Sequence, residues 1–168
     1  MGDDRVGHFV SAFEGSPLLL AYSVKANGSL ALLNRIGALG AGADIVSLGE
    51  LRRVLRAGIP SDHVVFSGVG KTEEELIAGL EAGIYAFHVE SSDELELLSK
   101  VAARLEVSAP VSLRVNPDVD SPTPHEYTRT GHTASKFGIP VFQAEALYRS
   151  WADDPHINFL GVSVHIGS

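Results

Sequence analysis

The sequence has 168 residues, 45% of them hydrophobic, with 13 basic against 21 acidic side chains and a net charge of −8. That is enough apolar material for a single core, and an acidic chain without a Lys/Arg cluster argues against nucleic acid as a partner. Cysteine is absent, which removes a disulfide framework and thiolate metal ligands, and no apolar run nears the roughly 18 residues of a membrane span, so a cytoplasmic chain with no membrane partner is expected.

The opening MGDDRVGHFV lacks the basic-then-apolar order of a leader peptide. The first apolar run, LLLAYSV at 18–24, stops at Lys25 just before Asn27-Gly28. Further runs follow as ADIVS at 43–47, HVVFS at 63–67, YAFHVE at 85–90, VSLRVN at 111–116 and FLGVSVHI at 159–166. Short and β-rich, they predict strands buried on both faces of a parallel sheet. Helix-like stretches lie between them. Three open with Ser/Thr-x-x-Glu, the pattern of a capping box: Ser47 with Glu50, Thr72 with Glu75, and Ser91 with Glu94. Leu95, Leu98, Val101, Ala102 and Leu105 share one face of a helix over 92–106. Gly58 and Gly83 stand where helices end and predict left-handed caps leading into the next strand.

The first five strands start about every 20 to 25 residues, the repeat of a strand, a crossover helix and two short loops. Periodicity alone allows a (β/α)8 barrel or an open doubly wound sheet. The exception is 117–139, a long polar segment with three prolines, of the kind that in compact domains either carries function or is disordered. Six strands are visible where a full barrel takes about 250 residues. The chain therefore reads as an incomplete barrel with an uncovered sheet edge, and marginal stability or self-association is expected of it alone.

Two phosphate-binding motifs fail. Gly70-Lys71-Thr72 resembles the end of a P-loop, but Val65 stands where its first glycine is required. Gly40-Ala41-Gly42 would need a third glycine at Ile45 and precedes a strand instead of following one. The seven histidines show no helical pairing and no acidic ligand cluster, so no metal is expected.

Ligands of parallel α/β folds gather at the C-terminal ends of strands. The polar residues there are Lys25, Asp44 to Glu50, Ser67, His88 and Glu90, Arg114 and Asn116, and His165 and Ser168. Lys25 either caps its strand with an ammonium that snorkels to solvent, or is desolvated into a nucleophilic amine able to form a Schiff base. Arg114 either serves a site or makes a structural ion pair with Asp44 or Glu50. His165 reads equally as a satisfied strand histidine.

The stretch Tyr22-Ser23-Val24-Lys25-Ala26-Asn27 resembles the Tyr-Ala-Val-Lys-Ala-Asn motif of the fold type III pyridoxal-phosphate decarboxylases, of the alanine racemase-like barrel class. GAGADIVSLGELRRVLRAGI, VVFSGVGKTEEEL, SLRVNPDV, TGHTASKFGI and GVSVHIGS match that family in order and spacing, from about Pro17 to Ser168. The FSGVGKTEEEL and NPDV segments are most similar to its diaminopimelate-specific branch. The resemblance implies a TIM-type barrel joined to a β-rich domain, a homodimer, and pyridoxal 5'-phosphate as cofactor. Lys25 would hold the cofactor as a Schiff base and His165 would stack on its ring. Ser168 would help bind its phosphate, while Asp44, Glu50 and Arg114 would form the surrounding polar shell.

The implied reaction is decarboxylation of an amino acid, with meso-diaminopimelate giving L-lysine as the expected case. Ornithine, arginine or a carrier-linked amino acid is the alternative substrate, and a non-catalytic barrel that binds a partner enzyme is the alternative of another class. An alanine-type racemase shares fold and lysine, but His165-Ile166-Gly167-Ser168 favours a decarboxylase. Ser23 and Leu48 replace a usual alanine and glycine. Residues 1–168 would then be a partial cofactor-binding barrel that begins inside its first helix and lacks the C-terminal β-rich domain.

Overall fold

A computed structural model describes residues 2–117 and 137–165. Helix α1 (Gly2–Ala12) precedes strand β1 (Ala21–Ser23), and the units that follow are α2 (Leu30–Ala38), β2 (Gly42–Ile45), α3 (Leu48–Arg56) and β3 (Val64–Phe66). Next come α4 (Glu73–Ala82), β4 (Ala86–Val89), α5 (Ser92–Arg104) and β5 (Ala109–Asn116). Beyond these lie the two-residue β6 (Ile139–Pro140), α6 (Val141–Trp151) and β7 (Ile157–Ser163). All strand pairs are parallel, β1 to β5 lie in chain order, β7 takes the place beside β5, and β6 touches only the end of β5. This is part of a (β/α)8 barrel. No helix among the described residues is long and apolar enough to cross a membrane.

The sheet buries one face where the sequence predicts two. Ile45, Val64, Phe66, Phe87, Val89, Val111 and Leu113 are sealed beneath the helices. The side chains one residue out of phase, Asp44, His88, Ser112 and Arg114, are only half-buried because they line the opposite face, where a cavity opens. Short apolar runs hide this alternation, since Val65 and Ala86 occupy cavity-side positions as well.

The caps follow the sequence with one refinement. Ser47, Thr72 and Ser91 each accept the backbone N–H three residues on. Only Thr72 and Glu75 close the reciprocal box. Glu50 and Glu94 reach one residue further back, to the N–H groups of Val46 and Glu90, and so tie each helix to the strand end before it. Gly58 and Gly83 adopt φ of 87° and 66°, the left-handed turns expected of them.

Gly42 has a different reason to be glycine. A Cβ there would meet the His63 carbonyl oxygen at 2.0 Å, a backbone atom that cannot step aside. Gly42→Ala is therefore expected to lower stability by about 2 kcal/mol or more in urea unfolding. Gly7→Ala, on open helix surface with nothing within 4 Å, should leave stability unchanged or raise it.

Candidate active site

The site begins with a turn. Val24 is buried, and the chain then winds through a 3-10 turn, Val24–Ala26, that presents Lys25. Asn27 accepts the Ser29 N–H through its side-chain oxygen, and Arg53 on α3 donates to the Gly28 carbonyl at 3.2 Å. Lys25 is thus held one step beyond β1, and it is exposed. Of the two readings the sequence left open, an ammonium reaching solvent and a desolvated amine, this exposure agrees with the first. Its distinction is position, on the wall of a cavity of about 750 Å³ at the C-terminal edge of the sheet.

Asp44, Ser67, His88, Arg114 and His165 line the same cavity. Asp44 on β2 accepts Ser23 Oγ at 3.2 Å and Ser67 Oγ at 2.5 Å, one on each carboxylate oxygen. Ser67 Oγ in turn lies 2.9 Å from His88 Nδ1. Four adjacent strands thereby share one hydrogen-bonded row of side chains. Ser163 Oγ, also on the cavity wall, is buried with no partner, a polar atom that a bound molecule would satisfy.

Arg114 pairs with Glu90 at 2.7 Å, and not with Asp44 or Glu50, the partners offered for it in the structural of its two sequence readings. Glu90 ends β4 and Arg114 sits on the neighbouring β5, so the parallel register brings them together. The Phe137 ring faces the guanidinium at 5.4 Å. Glu50 stands apart from the cavity wall: its carboxylate accepts the Val46 N–H at 2.7 Å and shapes the turn into α3. Ser168 lies outside the described residues.

Lys71, rejected above as a P-loop lysine, proves to be structural. Its Nζ donates to the Gly68 carbonyl at 2.7 Å, the His88 carbonyl at 2.8 Å and Glu94 Oε1 at 2.7 Å, using all three protons. Both side chains are buried, at 1% and 6% exposure. Burial holds the Glu94 carboxyl above its usual value even beside this ammonium. Sequence reading missed Ser67, His88 and Glu90 as site partners, although all three stand among the strand-end polar residues. Their signal was adjacency across parallel strands, visible once the register is known.

Burial pushes both cavity histidines below their usual value. For His88, Asp44 opposes the shift while Lys71 and Arg114 reinforce it. For His165, Arg114 and Lys25 reinforce it against Asp44 and Glu90. Both rings are therefore neutral at neutral pH. Among the described residues no group of three or more potential ligands could hold a metal ion.

Comparison with known proteins places this geometry in context. The family described as "Pyridoxal-dependent decarboxylase, pyridoxal binding domain" matches residues 4–168. A diaminopimelate decarboxylase of Pseudomonas aeruginosa is 53% identical over 160 residues, covering 95% of this chain and 38% of that protein. The crystal structure of a Helicobacter pylori diaminopimelate decarboxylase complexed with L-lysine superposes with a TM-score of 0.94 at 36% identity, covering 99% of this chain and 43% of that one. Its counterpart from M. jannaschii, also in complex with L-lysine, gives 0.88 at 36% identity, with coverages of 99% and 41%. The chain thus spans about two fifths of the length of the relatives it matches.

Lys71→Met leaves Glu94 without its cation and should cost about 3–5 kcal/mol in chemical denaturation, whereas Lys100→Met, at an exposed pair with Glu96, should cost under about 1 kcal/mol. The unfolded chain protonates His88 below its ordinary value of 6.5 while the folded chain keeps it neutral. Stability should therefore be full above that pH and fall as pH drops through and below it, with a shallower fall in His88→Gln. His165, more exposed, adds a smaller contribution in the same window. Glu75 acts lower down: burial would raise its carboxyl, but the Thr72 and Leu48 N–H bonds outweigh burial, and the stability they confer is lost only below about pH 4.5.

Proposed function

The chain belongs to the pyridoxal-dependent decarboxylases, within their pyridoxal binding domain, and from that premise we propose that it supplies the lysine-bearing wall of a diaminopimelate decarboxylase site. The observation that carries this is the gathering of Lys25, Asp44, Arg114 and His165 around one cavity at the strand ends. Pyridoxal 5'-phosphate fits the residues present. The cavity, at about 750 Å³, lies within the range of small-ligand sites. A primary amine, a neutral imidazole and an unpartnered serine hydroxyl face it. The 53% identity to the Pseudomonas aeruginosa diaminopimelate decarboxylase supports meso-diaminopimelate as substrate over ornithine, arginine or a carrier-linked amino acid.

In this reading Lys25 would hold the cofactor through Nζ, and its exposed position on the cavity wall keeps that amine accessible. When bound, the cofactor supplies the electron sink for the pair left at Cα as CO₂ departs. His165, neutral and half-buried, offers a flat ring for stacking without adding charge. Arg114, oriented by Glu90, contributes a fixed cation. Asp44, held from both sides by Ser23 and Ser67, contributes a fixed carboxylate. The Glu50 carboxylate supports the Val46–Ser47 turn, and Ser168 belongs to the reading as a phosphate contact. The protein reading includes a homodimer, a cytoplasmic setting, and a β-rich domain that completes the substrate site.

Mixing the purified protein with pyridoxal phosphate, reducing with borohydride and mapping the adduct by peptide mass tests the reading. Label is expected at Lys25 and lost in Lys25→Ala. The buried, triply bonded Lys71 should resist it, whereas scattered label at Lys71, Lys100 and Lys136 alike would count against a formed site. In turnover assays meso-diaminopimelate should have the highest kcat/KM, and preference for ornithine or arginine would refute the substrate assignment.

A further inference from the structure

The Ser67 hydroxyl lies between a carboxylate and an imidazole, and it has a single proton. Asp44 Oδ1, 2.5 Å away, can only accept, so the hydroxyl proton points there. His88 Nδ1, 2.9 Å from the same oxygen, must then carry a hydrogen of its own and donate it. Polarity therefore runs in one direction, from His88 at β4 through Ser67 after β3 to Asp44 on β2, while Ser23 on β1 donates to the other carboxylate oxygen at 3.2 Å.

We propose that Ser67 and His88 are positioning residues that hold the Asp44 carboxylate in one orientation on the cavity wall, with His88 locked in its Nδ1–H form. Neither side chain is occupied by the packing of the core: both are half-buried and line the cavity. The charged groups around His88 come from every neighbouring element, with Asp44 on β2, Lys71 after β3, Glu90 at the end of β4 and Arg114 on β5. The two cations and the two carboxylates act on the ring in opposite directions, and burial keeps it neutral, the state in which the two ring nitrogens differ. Lys71 fixes the backbone of the same residue by donating to the His88 carbonyl at 2.8 Å. Both the backbone and the ring of His88 are consequently set, and the hydrogen-bond order follows from them. What the fixed carboxylate serves rests on the cofactor reading above, but the order of the hydrogen bonds does not.

Histidine-selective ¹⁵N labelling of the protein, with long-range ¹H–¹⁵N correlation at pH 7.5 and His88→Gln for assignment, reads the tautomer directly. His88 should show a protonated Nδ1 and a bare Nε2, and Ser67→Ala should abolish that preference. In fluorescence titrations with pyridoxal phosphate, Ser67→Ala and His88→Leu should each weaken binding about tenfold. His88→Asn, whose amide nitrogen can stand in for Nδ1–H, should stay within about threefold of the parent. A bare Nδ1 in the parent protein would overturn the proposal, as would unchanged affinity in both Ser67→Ala and His88→Leu. Failure of the parent to bind pyridoxal phosphate would instead refute the cofactor reading, and the tautomer would still decide the hydrogen-bond order.

Discussion

The buried pair of Lys71 and Glu94 is the constraint on which the site depends. A lysine taken out of water must have each proton satisfied, and here the partners are the carbonyl that follows β3, the carbonyl of His88 on β4 and the carboxylate at the start of α5. Glu94 answers with its second oxygen on the Glu90 N–H. One ammonium thereby fixes the backbone at His88 and, through Glu94, at Glu90. His88 then faces Ser67 and Asp44, and Glu90 faces Arg114, so two separate arms of the cavity wall are set from behind by a pair that never touches the cavity.

Much of this architecture was legible in the sequence because its signals are local. Serine or threonine three residues before glutamate marked three helix starts, and glycine after Ala57 and Ala82 marked two helix ends, since caps and left-handed turns depend on a few neighbouring atoms. Strand periodicity gave the parallel repeat. What it could not give was which face of each strand is wet, because Val65 and Ala86 sit on the cavity side and disguise the alternation. Resemblance to a known family, and not periodicity, was what distinguished a barrel from an open sheet.

The site was legible in its members and not in its pairings. Lys25, Asp44, Arg114 and His165 were identified and do share one cavity. Arg114 finds Glu90, 24 residues earlier, because adjacent parallel strands place their ends side by side. Lys71 was dismissed for failing a phosphate motif, yet a lysine between a strand end and a helix cap has another use that spacing alone does not express. Glu50 shows the converse: a carboxylate near the site in sequence is spent on the backbone of its own turn.

The sheet's near-perfect agreement between chain order and spatial order bears on how the molecule assembles. Paired residues at the first three junctions, such as Tyr22 with Ala43, Ala43 with Val64 and Val65 with Ala86, lie 21 apart, and Phe87 with Val111 lie 24 apart. Ala109 and Ile157, at the β5–β7 junction, lie 48 apart. Closing a loop twice as long costs only about 0.6 kcal/mol more, but it delays the encounter until the intervening segment has been synthesised. The first five strands can thus dock in the order in which they leave the ribosome, each on a neighbour already present. The β5–β7 pairing, which carries Ser163 to the cavity wall, is the longest-range strand contact among the described residues, so that wall joins partners formed late to partners formed early.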